Sequence, residues 1–353
     1  MRQPGTRPGA PQPTSEPACG DARDVHADGS AHRLTQQKPL HQPVLLDATL
    51  AWLALAPGRL VVDGTVGFGG HAEAILERTA PDGRLIGLDR DADALAGGAA
   101  RLAPFADRVE LVQASFRQLR DVLFAQGIVQ VDAVLLDLGV SSPQLDRPER
   151  GFRFGGAEPE ATPLDMRMDP STGPTAATLL ARASEPELAR WFREHADLPG
   201  ARRLARALVR ARERAPLRSA ADLLRVVEEA RVGGARRHHP ATLVFQALRM
   251  AVNEELPALA EGLAAAEQVL APGGRLVVLA YHSAEDRVVK RFVRSAERGC
   301  ICPPRQPVCT CGRSPTLRRL TGRPVRPDAD EIRRNPRARS ARLRAAERLA
   351  EAA

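Results

Sequence analysis

The chain has 353 residues, 43% of them hydrophobic, and a formal net charge of +8 at pH 7. This length suits about two domains with a substantial core. No apolar stretch approaches the roughly 20 residues that a membrane-spanning helix needs, and the first residues lack the apolar segment of a secretory signal. We therefore expect a cytoplasmic protein without a membrane partner.

The positive charge is concentrated near the C-terminal end. From Lys290 onwards there are 17 Lys and Arg residues against 6 Asp and Glu residues. Basic segments of this kind often bind nucleic acid, although a solvated surface can have the same composition.

Residues 1–38 combine Pro, Gly, Ala and polar residues without periodicity, which predicts a disordered extension. The stretch "HQPVLLDATLAWLAL" that follows has apolar residues at helical spacing. Short apolar runs then alternate with helical segments. The predicted strands cover residues 59–64, 83–91, 108–116, 131–140 and 270–283. Continuous apolar strands separated by helices predict an α/β fold with a doubly wound parallel sheet.

The alternation stops over residues 146–238, which predict helices such as "EPELARWFREHA" and "ARRLARALVRARERA" but no strand. A long helical stretch follows, with a break expected at Pro257. We therefore expect a discontinuous α/β domain, residues 39–145 and 239–353, interrupted by a helical domain at 146–238.

A glycine-rich loop, "VVDGTVGFGGH", follows the first predicted strand. Glycines at such a turn let a ligand approach the free N–H groups at a helix N-terminus. A dinucleotide site needs G-x-G-x-x-G and a P-loop needs G-x-x-x-x-G-K-[ST], and neither spacing is present. The loop therefore either binds a different ligand or is a turn without a ligand.

Two carboxylates near this loop favour S-adenosylmethionine as the ligand. Asp89 ends the second predicted strand, 19 residues after Gly70, where it can accept the hydroxyls of a ribose. Asp63 ends the first strand, and its charge would repel a pyrophosphate but suits a ligand that carries an ammonium or sulfonium group. S-adenosylmethionine has a ribose and both of these cations.

Several further stretches match one family in order along the chain. They are "DGTVGFGGH", "LLDLGVSSPQLDRPERGFRF", "PLDMRMDP", "HPATLVFQALRMAVNEEL", "LAPGGRLVVLAYHSAEDRVVKRF" and "NPRARSARLRAAER". Over about residues 40–350 the chain resembles the bacterial ribosomal RNA small subunit methyltransferase H family, also called MraW. The resemblance implies a class I S-adenosylmethionine-dependent methyltransferase, a Rossmann-like doubly wound sheet with an inserted all-helical domain.

The same resemblance implies a reaction and a set of cofactor contacts. The family methylates the N4 amine of the cytidine at position 1402 of 16S rRNA, in the decoding centre, so the implied partner is rRNA in the small ribosomal subunit, and no DNA is expected. The residues that correspond to its cofactor contacts are Gly69, Gly70, His71, Asp89, Phe116, Asp137 and Gln144. A non-catalytic ribosome-assembly factor that retains the fold is the alternative function.

Catalysis on a cytosine amine needs acceptors for its hydrogens, and Asp137 at the end of the fourth strand is our candidate. Ser141, Ser142 and His282 could contact the cytidine. Alternatively, the two serines are only turn residues, and His282 has only a structural role.

Arg203 and Arg206 share one predicted helix face in the insertion, with Leu204 and Leu208 on the other. This basic face could bind RNA phosphates beside the target nucleotide, or it could simply be solvated.

Two C-terminal features allow more than one interpretation. Cys300, Cys302, Cys309 and Cys311 form C-x-C-x6-C-x-C, which could bind zinc, but the spacing is tighter than in the usual knuckle, and we favour free thiols over a metal site. The tail "NPRARSARLRAAERL" is helical by propensity. The family topology instead implies a final strand there, preceded by a strand in "LRRLTGRPV", and we follow the topology.

Overall fold

The computed structural model describes residues 43–154, 159–233, 239–303 and 306–350, apart from the side chains of Ser142 and Pro143. The predicted disordered extension 1–38 lies outside the described residues. No helix within these ranges has the length and apolar character to cross a membrane.

The described strands form one seven-stranded sheet with the order β3-β2-β1-β4-β5-β7-β6. The strands are β1 (Leu60–Asp63), β2 (Arg84–Asp89), β3 (Val109–Gln113), β4 (Val131–Asp137), β5 (Leu270–Ala280), β6 (Leu317–Arg319) and β7 (Arg342–Arg348). The first five are parallel, and β7 runs antiparallel to β5 and β6. The five strands predicted from apolar runs are confirmed, with ends shifted by a few residues.

Helices cover both faces of the sheet and form the insertion. They are α1 (Leu46–Leu53), α2 (Gly70–Arg78), α3 (Ala92–Leu102), α4 (Leu119–Ala125), α5 (Ser142–Asp146), α6 (Ala176–Arg182), α7 (Glu185–Ala196), α8 (Ala201–Arg214), α9 (Ala220–Glu229), α10 (Pro240–Val252), α11 (Glu255–Val269), α12 (Ser283–Arg298) and α13 (Ala329–Arg334). Short 3-10 turns lie at Ala103–Phe105, Phe116–Gln118, Pro148–Arg150 and Pro336–Ser340.

The C-terminal tail is a strand, as the family topology implied, although its residues favour helix. β7 pairs with β5 over six residue pairs, and Leu343, Ala345 and Ala346 are almost fully buried. Burial of these side chains and the completed hydrogen-bond ladder outweigh helix propensity. Helix propensities of ordinary residue types differ by only tenths of a kcal/mol per residue (~0.1–0.7).

The break in the long helical stretch does not lie at Pro257, so that prediction is wrong. The helix ends at Val252, and Glu254 has a left-handed backbone, with φ of 49°, before α11 begins. Pro257 is the third residue of α11. A proline in the first turn has no intrahelical N–H bond to lose, and it therefore starts a helix well.

Three apolar clusters make up the core. Two of them lie on the two faces of the sheet, one including Val62, Leu136 and Leu263, the other including Val61, Ile75 and Leu135. The third belongs to the helices of the insertion and also contains one face of α10, so its packing extends past residue 238. The domain boundaries at 145 and 238 stay a prediction.

Candidate active site

A cavity of about 670 Å³ opens at the carboxyl ends of β1, β2, β4 and β5. Ligands of doubly wound proteins bind at this edge of the sheet, where the loops after the strands diverge. The cavity brings together most of the residues selected from the sequence. Those that line it are Gly70, His71, Asp89, Phe116, Asp137, Ser141, Gln144 and His282.

The glycine loop shapes one wall. Gly67 and Gly70 line the cavity, whereas Gly69 does not. Gly69 precedes α2 with φ of 78°, a conformation that favours glycine, and its N–H donates to Val66 O at 2.8 Å. Gly69 therefore sets the turn, while Gly70 lies on the wall, close to Pro43, and faces the cavity.

Asp89 is held by the backbone on both of its oxygens. Oδ2 accepts from Gly67 N–H and Oδ1 from Asp91 N–H, each at 2.9 Å. Burial raises the pKa of Asp89 to about 6, against these hydrogen bonds, which lower it. A carboxylate oxygen accepts about two hydrogen bonds, so each oxygen retains capacity for one ribose hydroxyl.

His71 and Asp137 form the polar floor. His71 Nε2 lies 3.0 Å from Val44 O, and a carbonyl can only accept, so Nε2 carries the ring proton. Burial lowers the pKa of His71, which keeps the ring neutral at neutral pH even though the charge of Asp137 acts the other way. Nδ1 is then an acceptor, and it lies 3.7 Å from Asp137 Oδ2.

Two acceptors that face each other call for a donor between them. Asp137 Oδ1 is also buried and accepts no hydrogen bond from the described residues. An ammonium group or an amine N–H from a ligand would satisfy these atoms, because an unpaired buried acceptor costs about 1–3 kcal/mol. The floor therefore fits the amino-acid part of S-adenosylmethionine or the amine of a base.

Asp63 does not line the cavity, contrary to the position expected from the sequence. It is 1% exposed, and its Oδ1 accepts from Thr65 N–H at 3.0 Å. Burial raises its pKa to about 7, opposed by the hydrogen bond from Thr65 and helped by the charges of Asp137 and Asp89. Asp63 can act on a ligand only through its charge, from behind the wall.

Gln144 holds the loop after β4 in place. Its Oε1 accepts from Ser141 N–H at 2.9 Å, and Ser141 Oγ accepts from Gln144 N–H at 3.3 Å. Its Nε2 donates to Asp91 Oδ2 at 2.7 Å. Ser141 is thus a turn residue as well as a wall residue. Ser142 begins α5, and its side chain lies outside the described part of the structure.

His282 has the geometry of a helix cap. Its Nδ1 accepts from Glu285 N–H at 3.4 Å, and its Nε2 lies 2.9 Å from Glu285 Oε1. Glu285 is 2% exposed, and its Oε2 also accepts from Tyr281 N–H. The structural role considered for His282 is therefore present, and any contact with a base is an additional one.

Tyr281 lines the same wall and was missed by the sequence analysis. Burial and then the charge of Asp137 raise the pKa of Tyr281 well above its ordinary value. A side-chain hydrogen bond with Asp137 raises it as well, so the phenol stays protonated and is directed at that carboxylate.

Arg203 and Arg206 are not part of the cavity wall. Both are exposed on α8, opposite the buried Leu204 and Leu208, as the helix pattern predicted. The Arg203 guanidinium donates to Arg231 O, and Arg206 Nε lies 3.6 Å from a carboxylate oxygen of Glu185.

Other arginines line the cavity instead, and two of them share one acidic partner. Arg153 and Arg337 both line it, and both pair with Asp146, at 3.3 and 2.8 Å. Their side chains are 56% and 41% exposed. Each arginine lies in a quoted motif, "ERGFRF" or "NPRARS", but nothing in the sequence indicates that they meet.

Comparisons with known proteins identify the family of the chain. A family profile described as "MraW methylase family" matches residues 38–349. The chain is 50% identical over 323 residues to the ribosomal RNA small subunit methyltransferase H of Thermomicrobium roseum, covering 90% of this chain and 97% of that one. It is 49% identical over 310 residues to the protein of the same name from Carboxydothermus hydrogenoformans, covering 88% and 98%.

Among solved structures, an rRNA methylase from Streptococcus thermophilus is 12% identical with a TM-score of 0.36, over 88% of this chain and 99% of that one. A likeness at this level carries no functional argument.

Proposed function

The chain belongs to the MraW methylase family, and on that premise we propose that it methylates the N4 amine of a cytidine in 16S rRNA, at the decoding centre of the small ribosomal subunit. Its fold is that of the class I methyltransferases. S-adenosylmethionine is its cofactor and supplies the methyl group from a sulfonium centre. We place the reaction in the cytoplasm, on RNA and not on DNA.

The observation that carries the proposal is the group of acceptor atoms on the cavity floor, one of which has no partner among the described residues. Asp137 Oδ1 is buried and accepts no hydrogen bond among the described residues. Beside it, His71 Nδ1 lies 3.7 Å from Asp137 Oδ2, and the protonated Tyr281 phenol is directed at the same carboxylate. The residues present thus fit a cationic cofactor together with an amine substrate.

The cofactor would be held by residues with separate tasks. Asp89 would accept the ribose hydroxyls, Phe116 would pack on the adenine, and Gly70, after the turn that Gly69 sets, would leave room for the methionine part. Gln144 would keep the loop after β4 in register through Asp91. The buried carboxylates would attract the positive charges.

Asp137 would prepare the amine for methylation. The N4 lone pair of cytosine is delocalised into the ring, and an acceptor that draws an amine hydrogen out of the base plane makes it available. Positioning of this kind lowers a barrier by several kcal/mol (up to ~7–11 in favourable cases). No strong base is needed beforehand, because the amine proton becomes acidic only as the new C–N bond forms.

The RNA would reach the cavity over an arginine-lined rim. Arg153 and Arg337 are partly exposed and are joined only through the shared Asp146. Guanidinium groups of this kind bind phosphates in bidentate fashion. The target base would have to leave its stack to enter the cavity. Arg203 and Arg206 would contact RNA farther from the reacting base.

The test is methyl transfer from labelled S-adenosylmethionine to small subunits prepared from cells without this activity, followed by digestion to nucleosides. We expect label in N4-methylcytidine. Label in another nucleoside would contradict the proposed base specificity. Normal cofactor binding with no transfer to subunits at any stage of assembly would instead favour the non-catalytic assembly factor.

A further inference from the structure

Four cysteine sulfurs converge in the loop between α12 and β6. Sγ of Cys309 lies 3.5 Å from Sγ of Cys300, 3.9 Å from Sγ of Cys302 and 3.5 Å from Sγ of Cys311. Cys311 and Cys300 are 3.8 Å apart, and all four sulfurs lie within 4.8 Å of one another. The spacing of these cysteines alone favours free thiols, because it does not show that the two C-x-C pairs face each other.

These separations are those of a tetrahedral thiolate site. With Zn–S bonds of about 2.3 Å, the edges of a tetrahedron of sulfurs are about 3.8 Å long. A disulfide would need sulfurs about 2.05 Å apart. We propose that Cys300, Cys302, Cys309 and Cys311 bind one Zn²⁺ ion as a structural tetrathiolate site.

The surrounding contacts suit thiolate ligands. Thr310 N–H points at Cys302 Sγ at 3.4 Å, as backbone donors do around metal-bound thiolates. Arg298 donates to Cys300 O at 3.0 Å and to Cys302 O at 3.4 Å. This places a guanidinium beside a site that would carry a charge of about −2 when zinc is bound.

The loop has little else to hold it together. Its described residues between Gly299 and Thr316 contain no helix or strand, and Ile301 and Val308 are 55% and 70% exposed. At its base, Thr316 N–H donates to Ala296 O at 3.0 Å. A loop that buries so little apolar surface gains its stability from a metal, because the free energy of metal binding is free energy of folding.

Zinc is favoured over iron for this site. Four thiolates in a tetrahedron suit Zn²⁺ or iron, and Zn²⁺ binds more tightly than Fe²⁺ in the usual affinity order. α12 separates the loop from the cavity by its full 16 residues, a length of roughly 24 Å. The ion therefore stabilises the connection from α12 to the edge strand β6 and takes no part in methyl transfer.

Metal analysis of the full chain, purified under reducing conditions and dialysed against a weak chelator, tests the site. We expect about one zinc per chain, and Co²⁺ reconstitution should produce the absorption of tetrahedral tetrathiolate cobalt. Cys309→Ser should lower the retained zinc by about tenfold or more. Cys19→Ser, which removes the cysteine outside the cluster, should retain it.

The Co²⁺ spectrum is measured on the unsubstituted chain, so it remains informative even if Cys309→Ser fails to fold. The proposal is overturned if the purified chain and the Co²⁺-treated chain both lack stoichiometric metal. It is equally overturned if Cys309→Ser retains zinc as the unsubstituted chain does, if iron is the bound metal, or if mass spectrometry finds the cysteines in disulfides.

Discussion

The Arg150 guanidinium donates a 2.9 Å hydrogen bond to Asp91 Oδ2, and both side chains are buried. Asp91 also caps α3 and accepts from Gln144, while Arg150 donates to the carbonyls of Arg167 and Met168. This ion pair joins the end of β2, the loop after β4 and the start of the insertion. Arg150 in "RPERGF" and the carbonyls of Arg167 and Met168 in "PLDMRMDP" therefore have a structural role.

We expect Arg150→Met to destabilise the protein by about 3–5 kcal/mol, because it leaves the Asp91 charge buried without its partner. Arg147→Met is the matched control. Arg147 pairs with the exposed Asp93, and its loss should cost about 0–1 kcal/mol. Denaturant unfolding of both variants measures the difference. Equal losses would mean that the buried pair contributes no more than the surface pair.

Asp63→Asn should stabilise the cofactor-free protein in a pH-dependent way. The folded pKa of Asp63 is about 7 and the model-peptide value is 3.8, so the folded state holds the proton more tightly. Ionisation therefore reduces stability progressively between about pH 4 and pH 7, and the penalty is complete above pH 7. The variant should gain about 2–4 kcal/mol at pH 8 and almost nothing at pH 4.

The measurement for Asp63 is the free energy of unfolding of variant and unsubstituted protein across this pH range. Asp121→Asn, at an exposed position of α4, is the control and should show no such trend. A gain at Asp63 that is the same at pH 4 and pH 8 would rule out the burial of this carboxylate as its cause.

Gly262→Ala should weaken cofactor binding without touching the cavity directly. A Cβ at Gly262 would lie 2.4 Å from Cδ2 of Phe116, so the ring that we expect to pack on the adenine must move. Overpacking costs about 1–3 kcal/mol, and we expect the Kd for S-adenosylmethionine to rise about tenfold by calorimetry. Gly322→Ala, where a Cβ meets open space, should leave it unchanged, and an unchanged Kd in Gly262→Ala would remove Phe116 from the adenine site.

Asp137→Asn should slow methyl transfer while retaining the shape of the floor. The amide replaces one acceptor oxygen by a donor, so the cytidine amine loses its partner, and we expect kcat to fall about 100-fold or more. The assay is single-turnover methylation of undermethylated subunits, with cofactor Kd measured in parallel. Asp121→Asn is again the control. Full activity with normal cofactor binding would exclude Asp137 as the acceptor.

The positions of Asp89 and Asp137 at the cavity could be predicted from the strands that they end, whereas the other cofactor contacts were implied by the family resemblance. Apolar runs predicted β1, β2 and β4, and parallel strands bring their carboxyl ends to one edge. Asp89 and Asp137 therefore lie at the same edge of the sheet, on the two strands that flank β1. The role of each carboxylate could not be predicted in this way, because Asp63 also ends a strand and yet lies behind the cavity wall.

The sequence by itself determined the five parallel strands, the helices of the insertion, the glycine turn and the family, because these depend on residues close together along the chain. Only the tertiary structure decided which distant groups meet. Arg337 and Asp146 are 191 positions apart, and the tail becomes a strand only because β5 offers it an open edge. In the tail, pairing and burial between remote segments outweigh the local helix preference. Likewise, the four thiols form a candidate metal site only when the loop brings the two C-x-C pairs together.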